Sequence, residues 1–161
     1  MSDDLDLTEA RRDALALLTS LHVCTLATCA DGLAHAVSLF YAHKDFDLFW
    51  FSDPNTTHSR HIDGTDGARV AVTIAAECRT VADIRGLQMS GVARRLGGPA
   101  ETAAALARLT GRFSFLAEFL QHPGKLAEAM RKAAIYQLTV DRVTYIDNSK
   151  GFGHKTTFLP E

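Results

Sequence analysis

The feature that most constrains the fold is a series of short β-type segments separated by tight turns. Residues 22–29 are rich in β-branched and apolar side chains, and Asp31-Gly32 follows them, a dipeptide typical of two-residue hairpin turns. A second segment covers 33–43, and Lys44-Asp45 leads into a third over 46–51. Strands joined by such short turns pair antiparallel, because parallel neighbours need a long crossover connection. The sequence therefore predicts an antiparallel meander and excludes a βαβ unit here.

The rest of the chain adds strands on both sides of a helical stretch. Alternating side chains predict a fourth strand over 69–75, one long strand or two collinear ones over 80–96, and further β segments between 136 and 147. About six strands with peripheral helices suggest a mainly β protein that closes as a small antiparallel barrel. We expect one domain over 1–161, with an N-terminal helix at about 7–21, a barrel at about 22–96 and 134–160, and a helical insertion at about 99–132.

Composition narrows the class of protein. The chain is 47% hydrophobic and 22% charged, with a formal net charge of −2, which is typical of a globular protein and not of a disordered one. Near neutrality argues against nucleic acid as the main partner, because such domains usually carry a basic face. Apolar runs of about 18 residues and a signal-peptide pattern are lacking, which argues against a membrane protein. With only three cysteines, we expect a reduced, cytoplasmic protein.

Most chemical motifs are weak. Cys24 and Cys29 are five apart in a predicted strand and so face opposite sides, which prevents them from sharing a metal ion. His58 and His61 could share a helix face, but no further His or carboxylate follows at a spacing typical of a metal site. Residues 151–156 lack the full phosphate-binding P-loop spacing. We therefore expect no metal site, and no catalytic residue can be named.

The turn after the third strand is more informative, because it combines hydroxyl groups with cations. A polar turn leads into a short helix over about 56–62, whose first N–H groups are free to bind an anion. Arg60 adds a forked donor for phosphate oxygens, and a protonated His58 would add a second charge. A well-capped surface helix is the alternative interpretation, because Ser and Thr are common at helix starts. The hydroxyl groups belong to Ser52, Thr56, Thr57 and Ser59.

The order of these segments resembles a known family. The segments that show the resemblance are Leu48-Phe-Trp-Phe-Ser52, Thr57-His-Ser-Arg60, Arg69-Val-Ala-Val72 and the stretch from Ile84 to Ala93. Together they resemble the FMN-binding split β-barrel proteins related to pyridoxamine 5′-phosphate oxidase, over roughly residues 12–160. The ending over 147–155 is similar to that of a short bacterial branch whose function is unassigned. The resemblance implies a six-stranded antiparallel split β-barrel.

The resemblance also implies a cofactor, a partner and a set of contacts. In such proteins two subunits pack side by side, and one FMN lies in each of two clefts at the interface. The second strand runs along the isoalloxazine, the turn after the third strand holds the phosphate, and the long later strand adds polar contacts. The implied cofactor-binding residues are Ala36, Val37 and Ser38 for the ring, Ser52, Thr57, His58 and Arg60 for the phosphate, and Arg85 and Gln88 for the polar contacts. Arg85 and Gln88 also fit an ordinary polar pair on the barrel exterior.

Two departures bear on the reaction. Thr57-His58 stands where the oxidase has an Arg-Lys pair, and the Arg-rich C-terminal substrate motif of the oxidase is absent. The sequence therefore does not favour pyridoxamine phosphate oxidation. It favours a homodimeric FMN-binding flavoprotein, a flavin-dependent oxidoreductase that acts on a small molecule. A non-enzymatic flavin carrier or sensor is one alternative, and a split barrel that binds the deazaflavin F420 or haem is another.

Two further expectations concern apolar and glycine-rich segments. The aromatic stripe over 113–119 is expected to be core or a subunit contact. Residues 150–154 place two glycines around Phe152, which suits a backbone that passes close to a ligand, and we expect this segment near the flavin cleft. A flexible tail is the alternative interpretation.

Overall fold

One antiparallel sheet organises the molecule, and helices cover it. The computed structural model describes residues 2–121 and 124–160. Two residues of the expected helical insertion, 122 and 123, lie outside the described part. The helices are α1 (Ser2–Ser20), α2 (Thr57–Asp63), α3 (Pro99–Arg112), α4 (Ser114–Gln121) and α5 (Lys125–Lys132). The strands are β1 (Val23–Ala30), β2 (Leu33–Phe40), β3 (Ala42–Lys44), β4 (Asp47–Ser52), β5 (Ala68–Ala75), β6 (Arg85–Arg95), β7 (Ala134–Asp147) and β8 (Lys155–Phe158).

The sheet has eight strands, and the prediction of six was wrong. Their order is β2-β1-β5-β6-β7-β4-β3, and β8 pairs with β7 outside this path. Every pair is antiparallel, as the hairpin turns predict. The described residues form five α-helices beside the eight strands, so the fold is a mixed α and β one. The mainly β prediction therefore understated the helices.

The predicted hairpin between β1 and β2 is confirmed. Asp31 and Gly32 both have positive φ angles, 51° and 75°, which is the conformation of a type I′ turn. The predicted strand over 33–43 is interrupted at Tyr41, which separates β2 from β3. The Tyr41 side chain is fully buried, and its hydroxyl donates to the carbonyl oxygens of Leu18 and Leu21 at 2.7 and 2.8 Å. Anchoring this side chain to the end of α1 accounts for the break in the strand.

The main core lies between α1 and the inner face of the curled sheet. Ala10, Ala14 and Leu18 are spaced four residues apart on one side of α1, and each is at most 1% exposed. In β1 and β5 buried and exposed residues alternate, so each strand has one side in the core and one side outside. Burial raises the pKa of the Cys24 thiol to about 12, whereas Cys29 lies exposed on the other side of β1. Cys24 and Cys29 therefore face opposite sides of β1, as their spacing predicts.

A second apolar cluster lies beneath the helical insertion. Leu109 of α3, Phe113 between α3 and α4, and Leu116 of α4 pack against Phe49 and Ile135 of the sheet. This cluster confirms that part of the stripe over 113–119 belongs to a core. Among the helices in the described ranges, none is long and apolar enough to cross a membrane.

Candidate functional site

The candidate site is formed where β4 ends and α2 begins. After Ser52 the chain turns through Asp53, whose carboxylate accepts from the backbone N–H of Asn55 at 2.8 Å. The Asp53 carbonyl accepts from the backbone N–H of Thr56 at 3.1 Å, and this turn leads directly into α2. Ser52, His58 and Ser59 are consequently buried, while Thr57 and Arg60 remain exposed.

His58 is bound to hydroxyl groups on one side and lacks a partner on the other. Its Nε2 lies 2.5 Å from the Ser52 Oγ and 3.1 Å from the Thr56 Oγ1. Its Nδ1 is buried and has no hydrogen-bond partner among the described residues. Burial lowers the pKa of His58, and the neighbouring His35 and His61 lower it further. The expectation of a protonated His58 at the helix start is therefore corrected: without an anion beside it, the neutral imidazole is favoured at neutral pH.

Two more imidazoles surround His58. The His35 ring, on β2, is stacked nearly parallel to the His58 ring at 5.9 Å between centroids. The His61 ring lies edge-on to the His35 ring at 6.2 Å, and its Nδ1 is 3.0 Å from the Thr28 Oγ1. We call His35, His58 and His61 the histidine cluster. Sequence reasoning missed His35 and Thr28, although Thr28 and His35 are direct cross-strand partners in the predicted hairpin.

An open cleft of about 810 Å³ adjoins the histidine cluster. Arg60 and His61 of α2 form one wall of the cleft. The turn of the β1–β2 hairpin and the start of β5 form the rest of its lining. Arg69 also lines the cleft, but its guanidinium is paired with the Asp141 carboxylate. The Arg60 guanidinium has no hydrogen-bond or ion-pair partner in the part of the chain that the structure describes. Arg60 is therefore the permanent positive charge that is free to meet an anion here.

The three predicted ring contacts on β2 do not share one face. Ala36 and Ser38 are exposed on the outer side of the sheet, whereas Val37 packs against the main core. Alternation along a strand makes this unavoidable for consecutive residues. A ligand on the outer side would touch the side chains of Ala36 and Ser38 but only the backbone of Val37.

Arg85 and Gln88 lie on β6, apart from the histidine cluster. The Arg85 Nε is 3.2 Å from the Asp147 Oδ1, so this guanidinium already has a carboxylate partner. Gln88 is exposed and stands in one cross-strand row with Ser38, with Thr25 and Thr73 between them. Three strand spacings separate the two, about 14 Å. Within one copy of the chain, therefore, Gln88 is three strands away from the predicted ring contacts on β2, and Arg85 is held by Asp147.

The glycine-rich segment 150–154 lies against α1 within one copy of the chain. The Lys150 Nζ is 3.1 Å from a carboxylate oxygen of Glu9, and the Phe152 side chain is 89% exposed. The segment follows β7, which lies beyond β1, β5 and β6 from β2. Within the sheet order, therefore, this segment does not lie beside β2 of the same copy.

In residues 2–121 and 124–160, no group of three or more His, Cys, Asp or Glu side chains is arranged to hold a metal ion.

Comparison with known families settles the fold. The family profile of pyridoxamine 5′-phosphate oxidase matches residues 10–147. The chain belongs to this family. The split-barrel resemblance seen in the sequence is therefore confirmed, with eight strands in place of six.

The relatives extend this finding in sequence and in structure. A UPF0306 protein from Klebsiella pneumoniae (strain 342) is 32% identical over 139 residues, which cover 86% of this chain and 85% of the relative. A haem-binding protein from Mycobacterium smegmatis is similar in structure, with a TM-score of 0.72 and 22% identity over 93% of this chain, which spans only 57% of that protein. An FAD-binding protein from the same organism has a TM-score of 0.63 and 14% identity, and the match covers 91% of this chain and 95% of that protein. At these identities the two structures show a shared fold.

Proposed function

We propose that this chain is an FMN-binding flavoprotein and a flavin-dependent oxidoreductase that acts on a small molecule. Family membership and the FAD-binding protein of the same fold support a flavin as the ligand. The observation that carries the proposal is that two groups of α2, the buried His58 Nδ1 and the exposed Arg60 guanidinium, have no partner among the described residues. Polar atoms buried without a partner are rare and call for an explanation, and here the explanation is an anionic ligand beside α2.

The phosphate would be held at the start of α2. Arg60 supplies a permanent charge, and Thr57 supplies a hydroxyl at the exposed first turn. His58 is positioned by Ser52 and Thr56 and gains a proton when the phosphate arrives, because a nearby anion favours the charged imidazole. His35 stacks on the His58 ring, and His61, which is edge-on to His35, lines the cleft together with Arg60.

The flat ring of the flavin would lie along the outer side of β2. Ala36 faces outward there, and its cross-strand partner Ala27 is exposed as well. Small side chains leave the backbone accessible to a planar ring. As the last strand in the sheet order, β2 also offers backbone N–H and C=O groups without a strand partner on its outer edge. These groups suit the polar edge of an isoalloxazine.

A second copy of the chain would complete the site, which makes the functional unit a homodimer. In one copy Gln88 lies three strand spacings from Ser38, the Arg85 guanidinium pairs with Asp147, and the segment 150–154 lies against α1 through Lys150. A two-fold axis uses the same patch of both copies, so the β6 strand of one copy can face the β2 strand of the other. The ligand would then sit at the interface, one in each of two equivalent clefts.

Bound FMN supplies the electron-transfer chemistry, and the residues of the chain bind it, orient it and limit the access of water. Arg60 and the hydroxyls would hold the phosphate end, and β2 would hold the ring. No side chain of this site is assigned as an acid or base toward the substrate. Thr57-His58 in place of an Arg-Lys pair keeps pyridoxamine phosphate outside the proposed substrate range.

The absorption spectrum of the purified protein tests the proposal. We expect flavin absorption and, after denaturation, release of FMN as identified by mass spectrometry. A haem or F420 spectrum would favour those ligands instead, and the haem-binding protein of the same fold makes haem the second candidate. A colourless protein that takes up none of the three would contradict the proposal. Turnover with NADH or NADPH and an acceptor would separate an enzyme from a flavin carrier or sensor.

A further inference from the structure

A second, smaller cavity lies beside the end of β2, where the sheet meets the helical insertion. Its volume is about 240 Å³, and the described residues that line it carry no charge. Its inner part is formed by buried side chains such as Phe113 and Leu116, whereas Phe40 is 54% exposed and stands at the mouth. Ser38 provides the one side-chain hydroxyl. The cavity is thus apolar inside and has a single polar group near its opening.

Aromatic rings dominate the wall. Phe40 meets Phe113 at 5.3 Å between centroids and Phe115 at 5.7 Å, with interplanar angles of 67° and 64°. Phe113 and Phe115 are 5.6 Å apart. Edge-to-face contacts at these distances are the arrangement that aromatic rings prefer, because the positive edge of one ring meets the negative face of another. A further flat ring in the cavity would find the same type of partner.

The inner part of the cavity is held in place from behind. Arg112, next to Phe113, donates to the carbonyl oxygens of Leu18 and Leu21 at the end of α1, at 3.3 and 2.5 Å. Its guanidinium also lies 5.3 Å from the centre of the Tyr41 ring. These contacts tie the end of α3 to the end of α1 and to Tyr41 between β2 and β3. The cavity is therefore preformed, as small-molecule sites usually are.

Size and chemistry together select the occupant. A dry cavity of about 150 Å³ lined by Leu, Ile and Phe binds benzene, so 240 Å³ has room for one ring with small substituents. A charged or strongly polar ligand would lose its hydration without gaining partners on these walls. A helix or a peptide strand would not fit in this volume.

We propose that this cavity binds the ring of the substrate, a small, uncharged, planar aromatic compound with one hydrogen-bonding group directed at Ser38. The assignment as substrate rests on the proposed flavin site. Ser38 and Ala36 are two residues apart on the same outer side of β2, about 7 Å along the strand. A ring in the cavity would therefore lie next to a flavin that follows this strand.

Binding of p-cresol to the full chain tests the proposal, by isothermal titration with and without saturating FMN. We expect p-cresol to bind in both cases, and FMN not to displace it. The saturated analogue 4-methylcyclohexanol, which has a similar size but no flat ring, is expected to bind at least about fivefold more weakly, since it lacks the aromatic contacts.

Two matched pairs of variants locate the binding. Phe115→Ala removes a wall of the cavity, whereas Phe119→Ala removes a ring that contacts Phe115 but does not line the cavity. Met130→Trp fills the cavity, and Met130→Leu keeps its volume. We expect Phe115→Ala and Met130→Trp to weaken p-cresol binding about fivefold or more, with their controls within about twofold of the parent. FMN titration and thermal unfolding of each variant establish that it is folded.

Each outcome separates this proposal from the flavin site. If the parent binds FMN but not p-cresol, the cavity assignment is overturned and the flavin site stands. If p-cresol binds and the chain takes up no FMN, the ring-binding cavity stands and its role as a substrate site is overturned. Displacement of p-cresol by FMN would place the probe in the flavin site and overturn the cavity assignment. A change of oligomeric state in Phe115→Ala or Met130→Trp, with p-cresol binding intact, would make the cavity a subunit contact and overturn it as well.

Discussion

At the residue scale, the histidine cluster determines which charge an anion meets beside α2. Burial and two neighbouring imidazoles lower the pKa of His58, so the free protein favours its neutral form. Arg60 keeps its charge at every working pH. Affinity for a phosphate dianion therefore contains a constant part from Arg60 and a pH-dependent part from His58.

The first prediction concerns that pH-dependent part. Binding of the phosphate dianion raises the pKa of His58 above its lowered value in the free protein, so binding takes up a proton. By linkage, FMN affinity falls as the pH rises from the free-state pKa through the bound-state pKa. His58→Lys should keep affinity and flatten this dependence, while His58→Ala should lose about 1.5–3 kcal/mol of binding free energy, the range for a hydrogen bond to a charged group. Titration with FMN between about pH 5.5 and 8.5 covers the imidazole range.

Riboflavin is the control for this titration. The phosphate of FMN ionises near pH 6 and overlaps the imidazole range, but riboflavin has no phosphate. Its affinity should be weaker and should show no dependence on His58. FMN binding by His58→Ala that equals the parent at every pH would move the phosphate contact to Arg60 and the hydroxyls alone.

The second prediction concerns stability without ligand. The pKa of His58 in the folded protein lies below its unfolded value of about 6.5. The folded state therefore binds fewer protons, and its stability is complete above this pH and is lost as the pH falls toward the folded pKa. The urea midpoint of the parent should decrease when the pH is lowered from about 7.5 to 5.5, and the midpoint of His58→Gln should decrease less. Burial also lowers the pKa of His43, so part of the loss persists in the variant. If the urea midpoints of the parent and of His58→Gln changed equally with pH, His58 would not contribute to the pH dependence of stability.

At the element scale, the pairing of β6 with β7 depends on one glycine. The register between these strands shifts between Ser90 and Gly91. A Cβ added at Gly91 would lie 2.0 Å from the carbonyl oxygen of Thr139. Such a contact requires the two strands to separate, because the opposing atom is backbone and has no other rotamer.

Gly91→Ala is therefore expected to destabilise the fold by about 3 kcal/mol or more, at the upper end for an overpacked site. Gly111→Ala on α3 is the matched control, since nothing lies within 4 Å of its added Cβ. Alanine in a helix is favoured over glycine by about 1 kcal/mol, so this control should be neutral or stabilising. Urea unfolding followed by circular dichroism measures both changes. A Gly91→Ala variant as stable as the parent would mean that the strands tolerate a wider spacing.

The elements that sequence patterns predicted are those with strong local signals. Asp31-Gly32 and the alternation in β1 and β5 gave the hairpin and the sheet. Two strands were missed because their signals are not local. β8 is four residues long and mostly polar, and it exists through its pairing with β7. β3 was joined to β2 because only the buried Tyr41, anchored to α1, separates them.

In the candidate site, too, local features could be predicted from the sequence and long-range contacts could not. Position in the chain predicted the turn at Ser52 and the helix that carries His58 and Arg60. It could not predict that His58 is buried, because burial depends on the packing of β2 and β1 around α2. The cross-strand pairing of Thr28 with His35 was accessible from the hairpin turn and would have added His35 to the site.

At the scale of the whole molecule, the outer side of the sheet is the surface on which a homodimer would form. Ala71 lies exposed near its centre, between its cross-strand partners Ala27 and Ser90. Ala71→Arg should leave the monomer folded, because exposed substitutions usually change stability by less than about 0.5 kcal/mol. It should abolish the dimer and weaken FMN binding. Ala104→Arg on the exposed side of α3 is the control. Sedimentation of Ala71→Arg as a dimer with normal FMN content would exclude this surface as the interface.

The sharpest prediction at this scale is complementation between two defective chains. In the proposed dimer each flavin lies between β2 and α2 of one copy and β6 of the other. His58→Ala damages the α2 side of a site. Gln88→Trp fills the space beside β6 and damages the β6 side. A dimer of either variant alone has two damaged sites. A mixed dimer has one site with both defects and one site with none, because the intact α2 of the Gln88→Trp chain meets the intact β6 of the His58→Ala chain. Co-expression with two different affinity tags isolates the mixed dimer, and flavin absorbance per dimer measures the result. We expect one tightly bound FMN per mixed dimer. A mixed dimer that binds FMN no better than the dimer of either variant alone would show that each flavin site lies within a single chain.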